Sequence, residues 1–482
     1  MIPLTLQEIT TATGGVLRDA GGAAVATGMG TDSRTIRPGD LFVALPGSQT
    51  DGRRFAAAAV AAGAVAAVLQ AEAAGDSGIP PLGLEGVPRV EVEDPLRALM
   101  AVAAAVRARS GARVVGITGS TGKTTTKDLL SSVLATRLRT VANHASFNTE
   151  VGLPLTLARL EPATEALVVE MGSRGPGHIA ELAALARPEI GVVLNVGVAH
   201  IGMFGSREAI AAAKAELIEA LPASGTAVLN ADDPLVAGMA ARTSARPLRF
   251  GLSGSVDVCA EGVTLDGSGH AHLKLRTPAG SAAATLPAPG EHLVIDALAA
   301  AAAAHVLGLE PDAIAAGLAA ARLSPGRMQV GRRADGLTVI NDAYNANPAS
   351  MAAALKALAA AHHEEGGRRV AVIGEMAELG DHTEAEHDHA GRLATRLGID
   401  RLVGVGAAGQ LLVNAARMEG MSPKEAIAVP DASAAHALLT EWLTPADVVL
   451  VKASRVMALD TLAEQLLSGT DPGSGREEAG PA

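Results

Sequence analysis

A single cysteine, Cys259, stands in a chain of 482 residues, so no intramolecular disulfide can form and nothing calls for an oxidising compartment. Aromatic residues are nearly as scarce, with five Phe, one Trp and one Tyr. The hydrophobic share of 48% is mostly alanine, which implies a globular α/β protein packed through many small contacts. Long apolar spans are missing too. The most apolar runs, AAAAVAAGAVAAVLQAEAAG and ALAAAAAAHVLGL, are interrupted by Gly63, Glu72 or His305, and neither offers the span a bilayer needs. The opening MIPLTLQEITTATGG carries Glu8 and no basic cluster, unlike a secretory signal. Positive charge is in deficit: 39 Lys and Arg against 51 Asp and Glu give −12. That balance argues against nonspecific nucleic-acid binding but leaves small anionic substrates open. A cytoplasmic protein with no membrane insertion and no nucleic-acid partner is expected.

What is present divides the chain by pattern. Residues 1–110 hold short elements punctuated by RPGDLFVALPGSQTDG. A helix closes this part, with Asp94 as N-cap, Pro95 at the first helical position and Gly111 just past its end. Residues 111–324 alternate apolar runs with helices. RVVGITG, ALVVEMG, EIGVVLNVG and TAVLNADD each end in polar or glycine residues, as parallel strands with functional loops at their C-terminal ends do. The polar, Gly-rich stretch near 251–292 is expected to be antiparallel or irregular. Residues 325–467 repeat the alternation in LTVINDAY, RRVAVIGEM, RLVGVG and DVVLVKAS. The fold class expected is α/β in three domains: a small N-terminal α/β domain, a central P-loop ATPase-like, mostly parallel sheet, and a C-terminal Rossmann-like doubly wound sheet. Residues 468–482 have the composition of disorder.

The stretch GITGSTGKTTTKD follows an apolar strand and opens a helix. Backbone N–H groups of Gly119, Ser120, Thr121, Gly122 and Thr125, with the helix N-terminus, make an anion site. Lys123 adds a point charge for the β- and γ-phosphates, and Thr124 stands where a P-loop hydroxyl meets magnesium. ATP is the expected ligand. The loop departs from the common spacing, which wants glycine where this chain has Ile117. Glu170 ends the strand LVVE, where a carboxylate either serves magnesium or is merely solvated. His200 follows another strand.

Helical periodicity exposes an anomaly. In SREAIAAAKAELIEAL, with Ser206 as N-cap and Glu208 in the first turn, Ile210, Lys214, Leu217, Ile218 and Leu221 share one face. An unpaired ammonium on an apolar stripe is costly, so Lys214 snorkels to solvent, is partnered, or is modified. Further on, INDAYNANPAS holds the only tyrosine, Tyr344. Asn347 and Pro348 open a helix there, so Asp342, Tyr344 and Asn345 crowd a strand-to-helix turn, the usual ligand edge of such a sheet. Glu375, Glu378, Lys452 and Arg455 sit at similar strand ends.

Together, TDSRTIRPGDLFVALPG, TGSTGKT, DAYNANP, GEMAELG and VLVKASR resemble the Mur ligase family, in the right order over nearly the whole chain. The third segment resembles the branch that joins D-alanyl-D-alanine to a UDP-N-acetylmuramoyl-tripeptide. The diamino-acid-adding branch shares the start but carries a D-N-P-R motif, which this chain lacks. The resemblance implies a monomeric ATP-dependent ligase with those two substrates and two magnesium ions. It places Asp32, Ser33 and Arg34 at the UDP part of the substrate, and Asn143 and Asn148 in an Asn-rich substrate loop. Thr124, Glu170, His200 and Lys214 fall at the metal centre, with Lys214 on the lysine that the family carbamylates. Lys123, His200 and Lys214 would carry the catalysis. Arg327 and Asp342 fall on positions contacting ATP phosphate and ribose, with Tyr344 and Asn345 beside the nucleotide and His292 in the adenine region.

Five positions depart from the family pattern. Thr149 replaces a second Asn of the substrate loop, Leu293 and Asp296 replace both Asn of an H-N-x-x-N motif, Arg53 replaces a His, and Ala453 a Gly. The rival readings are another ligase of the superfamily, of the diamino-acid-adding or folylpolyglutamate type, and a nucleotide-binding switch without chemistry.

Overall fold

Three large sheets follow one another along the chain. The computed structural model describes all residues except 48–49, 72–83, 145–146, 199–200, 254, 364 and 470–482. His200 and nearly all of the tail expected to be disordered therefore lie outside the described residues.

The first sheet runs in the order Val16–Arg18, Arg89–Val92, Ala66–Gln70, Asp40–Val43, Gly28–Gly30, parallel apart from its first pair. The helix Pro95–Ala108 leaves it, and the Asp94 carboxylate accepts from the Leu96 and Arg97 N–H groups as the sequence leads one to expect. Its end differs from expectation. The chain tightens over Arg109 and Ser110, whose N–H groups bond to Val106 and Arg107 carbonyls. These three-residue spacings satisfy the last turn before Gly111 is reached, so that glycine is not the cap.

The second sheet has nine strands. From one edge they are Gly280–Pro289, His270–Thr277, Val258–Leu265, Arg246–Gly251, Thr226–Asn230, Ile190–Val193, Arg113–Thr118, Ala166–Glu170 and Thr140–Ala142. The last seven are parallel, and the first two join antiparallel, as expected for the Gly-rich stretch. Helices cover both faces. Val114, Leu167 and Val169 pack under Pro95–Ala108, His178–Ala186 and Arg207–Glu219. Val115, Ile117 and Val168 pack under Lys123–Ala135 and Leu293–Val306, whose run Ala299–Ala304 is wholly buried. Burial on both faces explains why these strands read as unbroken apolar runs.

The third sheet is ordered Gln329–Arg332, Thr338–Asn341, Val448–Lys452, Arg369–Ile373, Arg401–Val405, Ala426–Val429, parallel except for its first pair. The helix Pro348–Ala360 opens on a reciprocal cap between Asn347 and Ser350. The architecture is mixed α/β with parallel sheets in successive domains. Between the second and third sheets, the short helix Ile201–Phe204 meets the turn Gly380–His382. Their backbones touch there, since a Cβ at Gly202 would lie 3.2 Å from Gly380 N and 3.3 Å from Glu378 O. Among the described residues no helix is long and apolar enough to cross a membrane.

Candidate active site

The loop between Arg113–Thr118 and Lys123–Ala135 forms the floor of a cleft of about 490 Å³. Gly122 caps the helix with φ +80°, a backbone state open to glycine, and a Cβ there would run into the Asp296 carboxyl. Asn195, at the end of the neighbouring strand, holds the loop. Its Oδ1 accepts from the Ser120 and Thr121 N–H groups, both at 3.0 Å, and its Nδ2 donates to Thr121 Oγ1 at 3.0 Å. The sequence points to Ser120 and Thr121 as anion donors. Here their amides are engaged by Asn195, which leaves the N–H groups of the helix's first turn for an anion. Sequence reasoning missed Asn195; the signal was a lone amide in the apolar run VVLNVG.

Lys123 bends over the loop and donates to Gly119 O at 2.7 Å. Thr124 Oγ1 donates to Glu170 Oε2 at 2.8 Å and accepts from Arg327 Nη2 at 2.9 Å. The other Glu170 oxygen accepts from Asn148 Nδ2 at 2.6 Å, and Glu170 N–H donates to Asn143 Oδ1 at 2.6 Å. Asn143 thus stands behind the carboxylate, while Asn148 faces the cleft. Thr124 and Glu170 are a hydroxyl and a carboxylate in contact, both buried. Among the described residues no group of three or more His, Cys, Asp or Glu could hold a metal. Two hard oxygen donors with room for water and phosphate suit magnesium, which dehydrates reluctantly and uses one or two carboxylates.

Lys214 lies in the same cleft, 7% exposed. Its stem is enclosed rather than lying along the outer surface, and its Nζ has no hydrogen bond or ion pair among the described residues. Burial, reinforced by the Lys123 ammonium, holds its amine well below the usual lysine range. Burial also lowers Lys123, opposed by the Glu170 carboxylate.

The opposite wall comes from the third segment and from the helix Leu293–Val306. Arg327 stacks on Tyr344, 4.3 Å from the ring centroid, and Arg455 lies 5.5 Å from the same ring. Asp342 accepts from Met328 N–H at 3.1 Å and from the buried Lys452 ammonium, which also donates to Asn345 O at 3.0 Å. Burial pulls the His292 imidazole down to about 4 and pushes the Asp296 carboxyl up to about 8, the latter against the attraction of Arg327. Among the described residues, Arg327 Nε is buried without a hydrogen-bond partner.

The structure therefore brings together Gly119 to Thr125, Glu170, Lys214, Asn148, His292, Arg327, Asp342, Tyr344 and Asn345 on one cleft. It does not bring Asp32, Ser33 and Arg34 there; Arg34 forms a bidentate pair with Asp32, at 2.9 and 2.8 Å, on the surface of the first sheet's domain.

Three family profiles match in series: "Mur ligase family, catalytic domain" over residues 25–107, "Mur ligase middle domain" over 117–304, and "Mur ligase, glutamate ligase domain" over 326–455. The chain is 46% identical, over 99% of its length and 100% of the relative's, to the UDP-N-acetylmuramoyl-tripeptide–D-alanyl-D-alanine ligase of Mycobacterium tuberculosis. Among solved structures it is similar to the UDP-N-acetylmuramoylalanyl-D-glutamyl-2,6-diaminopimelate–D-alanyl-D-alanyl ligase of Acinetobacter baumannii, with TM-score 0.82 and 31% identity over 97% of this chain and 98% of that one. It is also similar to MurF ligase of Thermotoga maritima in complex with ADP, with TM-score 0.76 and 27% identity over 92% and 98%. On the strength of this end-to-end likeness, the chain belongs to the Mur ligase family.

Proposed function

We propose that this chain is the cytoplasmic ATP-dependent ligase that joins D-alanyl-D-alanine to a UDP-N-acetylmuramoyl-tripeptide in peptidoglycan precursor synthesis. The observation that carries the reading is the end-to-end 46% identity with a relative bearing that name. It is supported by a buried Lys214, without a partner among the described residues, beside a phosphate loop. The whole cleft is built from one chain, so a monomer suffices. Residues 1–110 take the UDP part through Asp32, Ser33 and Arg34. Residues 111–324 hold ATP and the tripeptide, and residues 325–467 close over the nucleotide and deliver the dipeptide.

An amide does not form from a free carboxylate at neutral pH, so the carboxylate is first activated. The first-turn N–H groups, Lys123 and Arg327 grip the ATP phosphates, Arg327 exchanging Thr124 for phosphate oxygen. The γ-phosphoryl group passes to the terminal carboxylate of the tripeptide, leaving ADP. The free amine of the dipeptide attacks the acyl phosphate carbon, a tetrahedral intermediate forms, and phosphate departs. Thr124 and Glu170, with His200, would hold magnesium, two ions in all, which neutralise charge on the transferring group. Lys214 is expected to be carbamylated: its neutral Nζ attacks carbon dioxide, an N–C bond forms and an amine proton leaves. The product is an anionic oxygen donor where an ammonium would face Lys123. Asp342 and Tyr344 orient the nucleoside, with His292 and Asn345 beside it.

The test is ADP release from ATP with a UDP-N-acetylmuramoyl-tripeptide and either D-alanyl-D-alanine or a diamino acid. Release dependent on the dipeptide is expected. Release that ignores the dipeptide, or answers to the diamino acid instead, overturns the assignment.

A further inference from the structure

Arg174 differs from the other arginines of the cleft. Arg327 donates to Thr124, and Arg455 pairs with Asp460 at 2.8 Å. Arg174 lines the same cleft and is exposed, and its side chain has no hydrogen bond or ion pair among the described residues. Its backbone, by contrast, is fastened. Arg174 N–H donates to His178 Nδ1 at 3.3 Å, and Ser173 Oγ donates to Gly175 O at 2.9 Å. The Glu216 carboxylate accepts from Gly177 N–H at 2.7 Å and Ala180 N–H at 3.0 Å. The acid across the loop, Glu150, is engaged by His178 Nε2 at 3.2 Å. An exposed arginine is ordinarily just solvated; this one is a loose cation on a fixed base at the rim of a reaction cleft.

Its placement relates it to one end of the substrate. Gly172 N–H donates to Asn148 O at 3.1 Å, so residues 172–178 run beside the loop read above as holding the tripeptide. Arg174 lies four positions after Glu170, a span of at most about 14 Å even when extended. The carboxylate to be activated belongs to the tripeptide's third residue and must come to the Glu170 and Lys214 side of the cleft. A side chain of that residue running along this wall comes within reach of Arg174.

We propose that Arg174 reads a carboxylate on the side chain of the third residue, making this chain selective for a diamino dicarboxylic acid over lysine at that position. The inference rests on the proposed function. A guanidinium fork matches a carboxylate in two hydrogen bonds, whereas lysine brings only an ammonium of the same sign. Selectivity thus has an attractive and a repulsive part. The Acinetobacter relative carries 2,6-diaminopimelate, a diamino dicarboxylic acid, in its name.

The experiment compares kcat/KM for dipeptide-dependent ADP release by the full chain on UDP-linked tripeptides ending in 2,6-diaminopimelate or L-lysine. The unsubstituted chain favours the diaminopimelate substrate. Arg174→Gln lowers that preference about 10- to 100-fold, as expected for one charge-assisted pair, through KM and not kcat. Arg174→Lys restores part of it. An unchanged preference, or an equal loss on both substrates, overturns the inference while the proposed function stands. Absence of dipeptide-dependent release with either tripeptide overturns both.

Discussion

Replacing Asp296 by Asn tests the electrostatics of the cleft most directly. The carboxyl is 5% exposed, packs against Gly122, and has its pKa raised by burial from 3.8 to about 8. Between those two values the unfolded chain carries the carboxylate ionised, while the folded chain keeps it protonated. The folded state then binds one more proton, so stability falls by about 1.4 kcal/mol for each pH unit from about 4 to about 8 and is flat outside that window. At pH 7 the accumulated penalty is on the order of 4 kcal/mol. A carboxamide has similar shape and hydrogen-bonding capacity and does not titrate, so Asp296→Asn removes the slope. The two proteins should match near pH 4 and diverge steadily towards pH 8, with the variant the more stable. Because the chain has several domains, the readout should be local: hydrogen exchange of amides in Leu293–Val306, corrected for the intrinsic pH dependence of exchange. Parallel curves from pH 5 to 8 would refute the claim that Asp296 is a neutral acid in the folded protein.

Other expectations follow from the same cleft. Lys214→Ala should reduce ADP release by about 100-fold or more if its modified form holds a reacting group in place. Depleting carbon dioxide should lower the activity of the unsubstituted chain, and labelled bicarbonate should leave a carbamate signal that the variant lacks. Asn195→Ala removes the side-chain acceptor of the Thr121 N–H and one of the two acceptors of the Ser120 N–H, and should weaken ATP binding about 10-fold or more, measured by calorimetry, without moving KM for the dipeptide. Gly202→Leu puts a side chain where two backbones meet. It should lower kcat by about 100-fold by misplacing the third sheet's domain, while the unfolding midpoint stays close to that of the parent.

Much of this was legible because buried strands announce themselves. VVGIT, ALVVE and VVLN are covered on both faces and so are apolar throughout. Ala426–Val429 and Gln329–Arg332 escaped notice because each closes an edge of its sheet and is half exposed, so little in their composition separates them from loops. Lys214 was legible from spacing alone, since a cation on an apolar helical stripe contradicts its surroundings. Arg327 was legible only through the family resemblance: its contact with Thr124 depends on a chain reversal that brings position 327 back there, and local sequence carries no trace of it. Asn195 was overlooked for the opposite reason, being embedded in a run that reads as ordinary strand. The helix end at Ala108 shows how three-residue hydrogen bonds finish a helix before the nearest glycine, so an end read from Gly111 fell too late.

The meeting of Gly202 and Gly380 has a consequence for turnover. A junction of bare backbone buries little apolar surface at that point, so the contact itself contributes little adhesion between the two bodies. Such a seam works as a doorstop and not as glue: it fixes where the swing must end and supplies no force to reach that end. The drive to close then has to come from whatever occupies the space between, and spent nucleotide can leave without first tearing apart a packed interface.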